Sequence, residues 1–298
     1  FEYNESVNVK FNSGKYDPQS KFAPVHEFSF TTQNIRNPLH GYIKNKDFYS
    51  YELFNGNINS DFPGDVPELT VTINNFPSDG KIFLSNFPFT IISSIPHLII
   101  AENSGEIYTG LKLPANALDF KKEPNGNLVY FNSKYNKYYE LNKEYKLIDS
   151  FYCGNGYITD GHELKILSNE HALLMSYDSQ TVDMSQIVQG GNPNCLVIGL
   201  IIQEIDTDKN VVFQWRSWDH IPITDAQHQD MTAVYLDYIH GNAIEQDNDG
   251  NILISSRHLD EITKINRETG SIIWRLGGPG NQFTFLNDPD NGFTFQHG

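Results

Sequence analysis

Apolar and polar residues alternate with a period of two along most of this chain, and helical periodicity is nearly absent. The alternating runs are short and are broken by turns rich in Gly, Asn and Asp. The run LDFKKEPNGNLVYFNSKYNKYYELNKEYKLIDSF, Leu118 to Phe151, predicts four strands joined by a PNG turn, a loop and a short turn. The run from Ile239 to Gly278 has the same grammar, with DNDG and NRETG at its turns. A third copy begins at HELKILSNEHALLMSYDS and resumes at GLIIQEIDTDKNVVFQWRS, Gly199 to Ser217, with the polar insert QTVDMSQIVQGGNPNC between its halves. KIFLSNF with PHLIIAENSGEIYTGL makes a weaker copy, and a fifth is expected to start with a strand at Phe293 in FTFQHG.

Units of four short strands recurring every 40 residues or so are the signature of β-propeller blades, at roughly 40–50 residues each. One four-stranded sheet cannot bury both its faces, whereas blades stacked around an axis can. The expectation is therefore an all-β chain with a propeller over residues 76–298, incomplete here, counting three full blades and two partial ones. Closure of the ring would need further blades after Gly298. Residues 1–32, with SVNVKF and HEFSFTT flanking a glycine-containing turn, read as the end of a small β-sandwich-like domain. The turn-rich residues 33–75 read as a linker.

Composition supports β-structure, with 13% aromatics, 16 Tyr and 20 Phe. The balance of 21 basic and 37 acidic residues gives a net charge of −16, which argues against nucleic acid or an anionic membrane as the main partner. It leaves room for a local cationic pocket. The sequence contains no run of 18 apolar residues, so no membrane-spanning helix is expected. The opening FEYNESVNVKF lacks the basic and apolar segments of a signal peptide, and both ends read as cuts in a longer chain. Cys153 and Cys195 have neither CxxC nor finger spacing and are compatible with a disulfide or with two buried thiols. With no basic neighbour in sequence, neither is expected to be catalytic.

The histidines carry the chemistry. His26, His40, His97, His171, His220 and His228 have no informative context. His162 in TDGHELKIL, His240 in LDYIHGNAIEQ and His297 in FTFQHG each open the first strand of a unit. In a propeller that strand is innermost, so the three imidazoles are expected to meet at one channel mouth; the bland alternative is a repeated core histidine. Arg257, in LISSRHLDE, ends the strand that pairs with the one opened by His240, and Asn242 lies on the same strand face as His240. Arginine offers a planar fork of donors for a tetrahedral oxyanion. Histidine offers a donor, a proton relay or a nucleophile near neutral pH. Three histidines would also suit zinc or copper, a reading that the nearby Arg257 disfavours. No GxSxG, Walker loop or GxGxxG is present, GGPG reads as an interblade turn, and the acidic DTD, DND and DPDNG runs fall at hairpin turns.

DGHEL, DYIHGNAIEQDNDGNILISSRHLDEITKINRETGSIIWRLGG and FQHG together resemble the arylsulfate sulfotransferase family. The resemblance covers residues 80–298 or so, and its H-x-N, SSRH, W-x-LGG and QH motifs come in order. It implies a six-bladed propeller behind a smaller N-terminal β-domain, in an exported protein of the periplasm or the extracellular space. It also implies transfer of a sulfuryl group from a phenolic sulfate ester to a phenol, with no nucleotide sulfate donor and no cofactor. By the same resemblance His297 is the nucleophile that becomes sulfohistidine, His240, Arg257 and His162 complete the catalytic set, and Asn242 and Arg257 bind substrate. The competing class is a non-catalytic propeller that binds an anionic ligand or a protein at its mouth. A third, a metal-dependent oxidoreductase or lyase propeller, would carry bound metal.

Overall fold

In a computed structural model, the described residues are 66–87, 95–290 and 292–297, with the backbone of three earlier strands. The chain divides into two compact units, Phe1–Lys121 and Lys122–Gly298. The sandwich end expected over 1–32 and the linker expected over 33–75 lie largely outside the described residues.

In the first unit, β1 (Ser6–Asn12) and β2 (Val25–Thr31) pair antiparallel, Val9 facing Phe28. A separate sheet holds β3 (Glu52–Asn55), β4 (Ile82–Ser85), β5 (His97–Ala101) and β6 (Ile107–Lys112) in the order β3-β6-β5-β4. Its central β5 is buried throughout, as a continuous HLIIA run on a central strand requires. Here β3 falls within the stretch read as linker, where four residues between turns leave too short an alternation to see. β7 (Ala117–Lys122) runs through the division.

The second unit repeats one pattern. β8 (Leu128–Asn132), β9 (Lys137–Leu141) and β10 (Leu147–Phe151) form an antiparallel meander. The next sheet has the order β11 (Thr159–Ile166), β12 (Ala172–Val182), β13 (Cys195–Ile205), β14 (Val211–Arg216). β15 (Tyr235–Asp237) adds to β13 in parallel, Leu196 facing Tyr235. The last sheet is β16 (Gly241–Gln246), β17 (Ile252–Ser256), β18 (Glu261–Ile265), β19 (Ile272–Gly277), with Gly250 of DNDG at φ +83° in its first hairpin. These successive four-stranded meanders are β-propeller blades, and the chain is all-β. The first strands β11 and β16 are neighbours, and β11 packs beside β9 on its other side.

The polar insert is shorter than its sequence suggests. β12 runs on to Val182 and β13 begins at Cys195, so the two halves join as one long hairpin whose tip carries a 3-10 turn over Met184–Gln186. Burial of Met184, Cys195 and Val197 in the main core explains why those ends are ordered strand. That core also takes Leu200 and Ile202 from β13, Trp215 from β14 and Ile244, Ile252 and Ile254 from the last sheet, binding two blades together.

The last segment departs from expectation. Phe293–His297 forms no strand. It is held as a loop against the turn after β17, where Arg257–Leu259 make a 3-10 turn ending on Asp260 at φ +53°. The Phe295 N–H donates to Asp260 Oδ1 at 2.8 Å, and the Gln296 amide donates to the Ser256 and Glu261 carbonyls at 3.1 and 2.9 Å. Gly277, at φ +89°, makes the close approach possible, because a Cβ there would sit 2.3 Å from the Asp260 carbonyl oxygen. Gly277→Ala is expected to lower stability by about 1–3 kcal/mol, from left-handed strain and a backbone clash. Urea unfolding checks this, and a midpoint unchanged from the parent protein would contradict it.

Candidate active site

Three imidazoles meet beside the neighbouring strands β11 and β16. His162 lies within β11, and His240 immediately precedes β16. The loop held by Asp260 brings His297 to both. The three ring centroids form a nearly equilateral triangle: His162–His240 5.4 Å, His162–His297 5.3 Å and His240–His297 5.5 Å. The His240 and His297 Nε2 atoms are 3.4 Å apart.

Each strand-borne histidine has its own carboxylate. Asp160, two residues before His162, accepts from the His162 backbone N–H at 2.9 Å and lies 2.6 Å from its Nδ1. Asp237, at the end of β15, accepts from the His240 backbone N–H at 3.0 Å and sits 2.7 Å from its Nδ1. His240 stands at φ +46°, a left-handed conformation uncommon for a side chain of its size. Both oxygens of one carboxylate hold it there. With Nδ1 committed to a carboxylate, Nε2 is the nitrogen each ring turns to other business.

Sequence reasoning missed His258. It is buried against His240, ring centroids 4.7 Å apart, and its Nδ1 donates to the Asp237 carbonyl at 2.6 Å. Its Nε2 accepts from the Arg257 guanidinium at 3.2 Å. The signal was present, since His258 is the fourth letter of SSRH. Asp160 and Asp237 were legible too, as carboxylates two and three residues before a histidine.

Arg257 and Asn242 join the cluster in different ways. The register sets Ser256 opposite Gly241, so Arg257 comes beside His240, and its backbone N–H donates to the His240 carbonyl at 3.0 Å. Its guanidinium lies over the Phe295 ring, 4.7 Å from the centroid. Asn242 sits at a bulge between Gly241 and Ala243 and is buried. Its amide, expected to meet a ligand, donates to the Gln296 carbonyl at 3.1 Å and to the His240 carbonyl at 3.3 Å, tethering the residue next to His297.

The electrostatics separate the groups. Burial alone would raise Asp237, but the bonds from His240 and the nearness of His240 and His258 outweigh it and hold the carboxyl below its ordinary range. His258 is pushed down by burial, against the pull of Asp237. His297, still exposed on one side, is pushed down to about 4 by desolvation where its ring packs into the cluster, then by His162, His240 and Arg257. It is therefore a neutral imidazole at neutral pH, with a lone pair to offer. The Tyr177 hydroxyl, raised by burial, donates to the Gly241 carbonyl at 2.6 Å and closes the wall behind His162. Two groups of side chains have the spacing of metal ligands, His162–His240–His297 and Asp237–His240–His258.

The cysteines are free and buried, which resolves the alternative left open by sequence in favour of two thiols. Burial pushes Cys153 up to about 12 and raises Cys195.

The family model described as Arylsulfotransferase (ASST) matches residues 120–298, well over half of the chain, and the chain belongs to that family. A search of curated proteins finds no match. Among solved structures, selenomethionine-substituted virginiamycin B lyase from Staphylococcus aureus is 13% identical, with a TM-score of 0.35 over 77% of this chain and 75% of that one. A catalytically inactive variant of the same lyase, with quinupristin, is 13% identical at a TM-score of 0.33 over 68% of this chain. A streptogramin B lyase is also 13% identical, at 0.34 over 65%. The chain spans 58% and 54% of the length of those last two. Among the described residues, no helix is long and apolar enough to cross a membrane.

Three outcomes follow from these surroundings. NMR titration of the histidine rings should give His297 a midpoint near 4; one at or above the ordinary 6.5 would contradict its surroundings. Because the folded value lies below the unfolded one, the unfolded chain binds this proton first, so His297 costs stability as pH falls from 6.5 towards 4 and costs none above. Iodoacetamide should leave both thiols unlabelled in the native protein at neutral pH and label both in urea. Native labelling of either would contradict their burial.

Proposed function

We propose that this protein moves a sulfuryl group from a phenolic sulfate ester to a phenolic acceptor through a sulfohistidine at His297. The observation that carries the reading is the triangle of imidazoles in which the neutral His297 stands apart from the two carboxylate-bound rings. Sulfuryl transfer, like phosphoryl transfer, spreads charge over the equatorial oxygens while nucleophile and leaving oxygen lie in line.

In the first half-reaction a lone pair of the His297 ring forms the N–S bond as the ester S–O bond breaks. The electron pair leaves with the phenolate oxygen. His240 or His162 supplies the proton that the phenolate needs, and the Asp237 or Asp160 carboxylate steadies the ring that gave it. Arg257 holds sulfuryl oxygens with its fork. Asn242 contributes by fixing the Gln296 carbonyl and thereby the approach of His297. In the second half-reaction an acceptor phenol loses its proton to the same ring and takes the sulfuryl group, restoring neutral His297. No nucleotide donor or cofactor enters. The partners are a small aryl sulfate and a phenol, and the working site is outside the cytoplasm, in the periplasm or beyond the cell.

The test uses a chromogenic aryl sulfate, with a phenol acceptor added or withheld. Without acceptor, mass analysis and peptide mapping should find one sulfuryl adduct, on His297. His297→Asn should lower transfer by several orders of magnitude. Arg257→Lys should weaken donor binding and turnover together, because a point charge cannot replace the fork. Asp237→Asn should lower turnover by roughly 10–100-fold, the range for losing a group that orients a working histidine. An adduct elsewhere, or parental turnover in His297→Asn, would remove the covalent mechanism and favour a propeller that only binds an anion.

A further inference from the structure

The geometry points to a transition-metal site at His162, His240 and His297, and we propose that Zn²⁺ binds there with three imidazole ligands and a fourth, open position. One ring nitrogen from each of the three lies within 4.8 Å of the other two. Zn–N bonds of about 2.0–2.1 Å at a tetrahedral angle put neighbouring ligand nitrogens about 3.3–3.4 Å apart. The His240 and His297 Nε2 atoms already stand at 3.4 Å. The remaining closure is that between His162 and the other two rings, whose ligand nitrogens lie within 4.8 Å.

Second contacts favour the same ion. A metal-bound histidine is oriented by a carboxylate on its other nitrogen, which also makes the ring a better donor. Asp160 does this for His162 and Asp237 for His240, at 2.6 and 2.7 Å. Those two carboxylates bring two negative charges to the back of the ligand set, offsetting Arg257, whose guanidinium is turned to His258 Nε2 and the Phe295 ring. Each ring would bind as a neutral imidazole through Nε2 with its proton on Nδ1, which for His162 and His240 rests on Asp160 and Asp237, so that no proton has to leave. Nitrogen-rich, uncharged ligands of this kind select zinc, cobalt or copper over magnesium or calcium. The ion would occupy the position that the sulfuryl group needs, so zinc is an inhibitor if the transfer reading is correct. Binding itself does not depend on that reading.

The probe is Co²⁺ added to the metal-stripped protein, with no donor or acceptor present. One ion per chain should appear, with the intense visible bands of four-coordinate Co²⁺ in place of the weak bands of the six-coordinate aquo ion. Zn²⁺ should then displace it. His162→Ala and His297→Ala should each abolish those bands, and Asp160→Asn should weaken binding by roughly 10–100-fold. His171→Ala, on a histidine bonded to Glu204 elsewhere, should change nothing. His297→Ala decides the matter if His162→Ala does not fold, since His297 lies on an exposed loop. Absence of bound ion, a six-coordinate spectrum, or binding that survives His297→Ala would each overturn the proposal, the last by placing the ion on Asp237, His240 and His258.

Discussion

The site depends on one carboxylate. Asp237 takes the backbone N–H of His240 on one oxygen and its Nδ1 on the other, and its own carbonyl takes Nδ1–H of His258. These bonds hold His240 in a left-handed conformation that costs on the order of 1–3 kcal/mol when unsupported. Asp237 can do so because β15 is added in parallel to the start of β13, a pairing outside the four-stranded blade. The addition fixes the last residues before β16, and so fixes where the first strand of the next blade begins. Without it, the chain entering β16 would have no reason to present the imidazole inward.

The second dependence is the return of the chain to the same place. Blade strands cannot themselves carry a third histidine into contact with the other two, since adjacent first strands diverge by their own spacing. A loop can. The segment before His297 is tied at three successive points: Phe295 to Asp260, Gln296 by its amide to two carbonyls of the last blade, and Gln296 by its carbonyl to Asn242. Asp260 also binds His228 Nε2 at 2.8 Å, and the His228 ring lies 4.6 Å from that of Phe295, so a residue without informative context in sequence supports the anchor. Asn242 thereby helps to place His297, a different use from the ligand contact that its strand face suggests.

Much of this was legible in the chain. Turn chemistry located the hairpins, because DNDG and PNG leave few alternatives to a tight turn, and period-two alternation located β8–β14 and β16–β19. His162 and His240 could be paired in space because they stand at equivalent positions of neighbouring first strands, whereas His297 arrives on a loop, not on the strand that the register argument assumed. What stayed hidden has physical causes. The extension of β12 and β13 through a polar insert is driven by burial of Met184 and Cys195, a tertiary effect that local alternation does not report. The loop at Phe293 reads as a strand because Phe293 and Phe295 alternate; its hydrogen bonds go to side chains and to turn carbonyls of another blade instead. His258 was overlooked because Arg257 beside it drew the chemistry, although both face the same residues.

The separation of roles among the imidazoles follows from what backs each one. Two of the three rings are paired with carboxylates, His162 with Asp160 and His240 with Asp237. His297 differs. Among the described residues no carboxylate is hydrogen-bonded to its ring, and its nearest charged or chargeable neighbours are His162, His240 and Arg257, all of which disfavour a further positive charge. In the proposed transfer, the neighbours that would receive a developing negative charge on the sulfuryl group are those that keep the His297 nitrogen unprotonated. Attraction for the oxyanion and availability of the lone pair are therefore one electrostatic arrangement, and a change that weakened the first would also reduce the second.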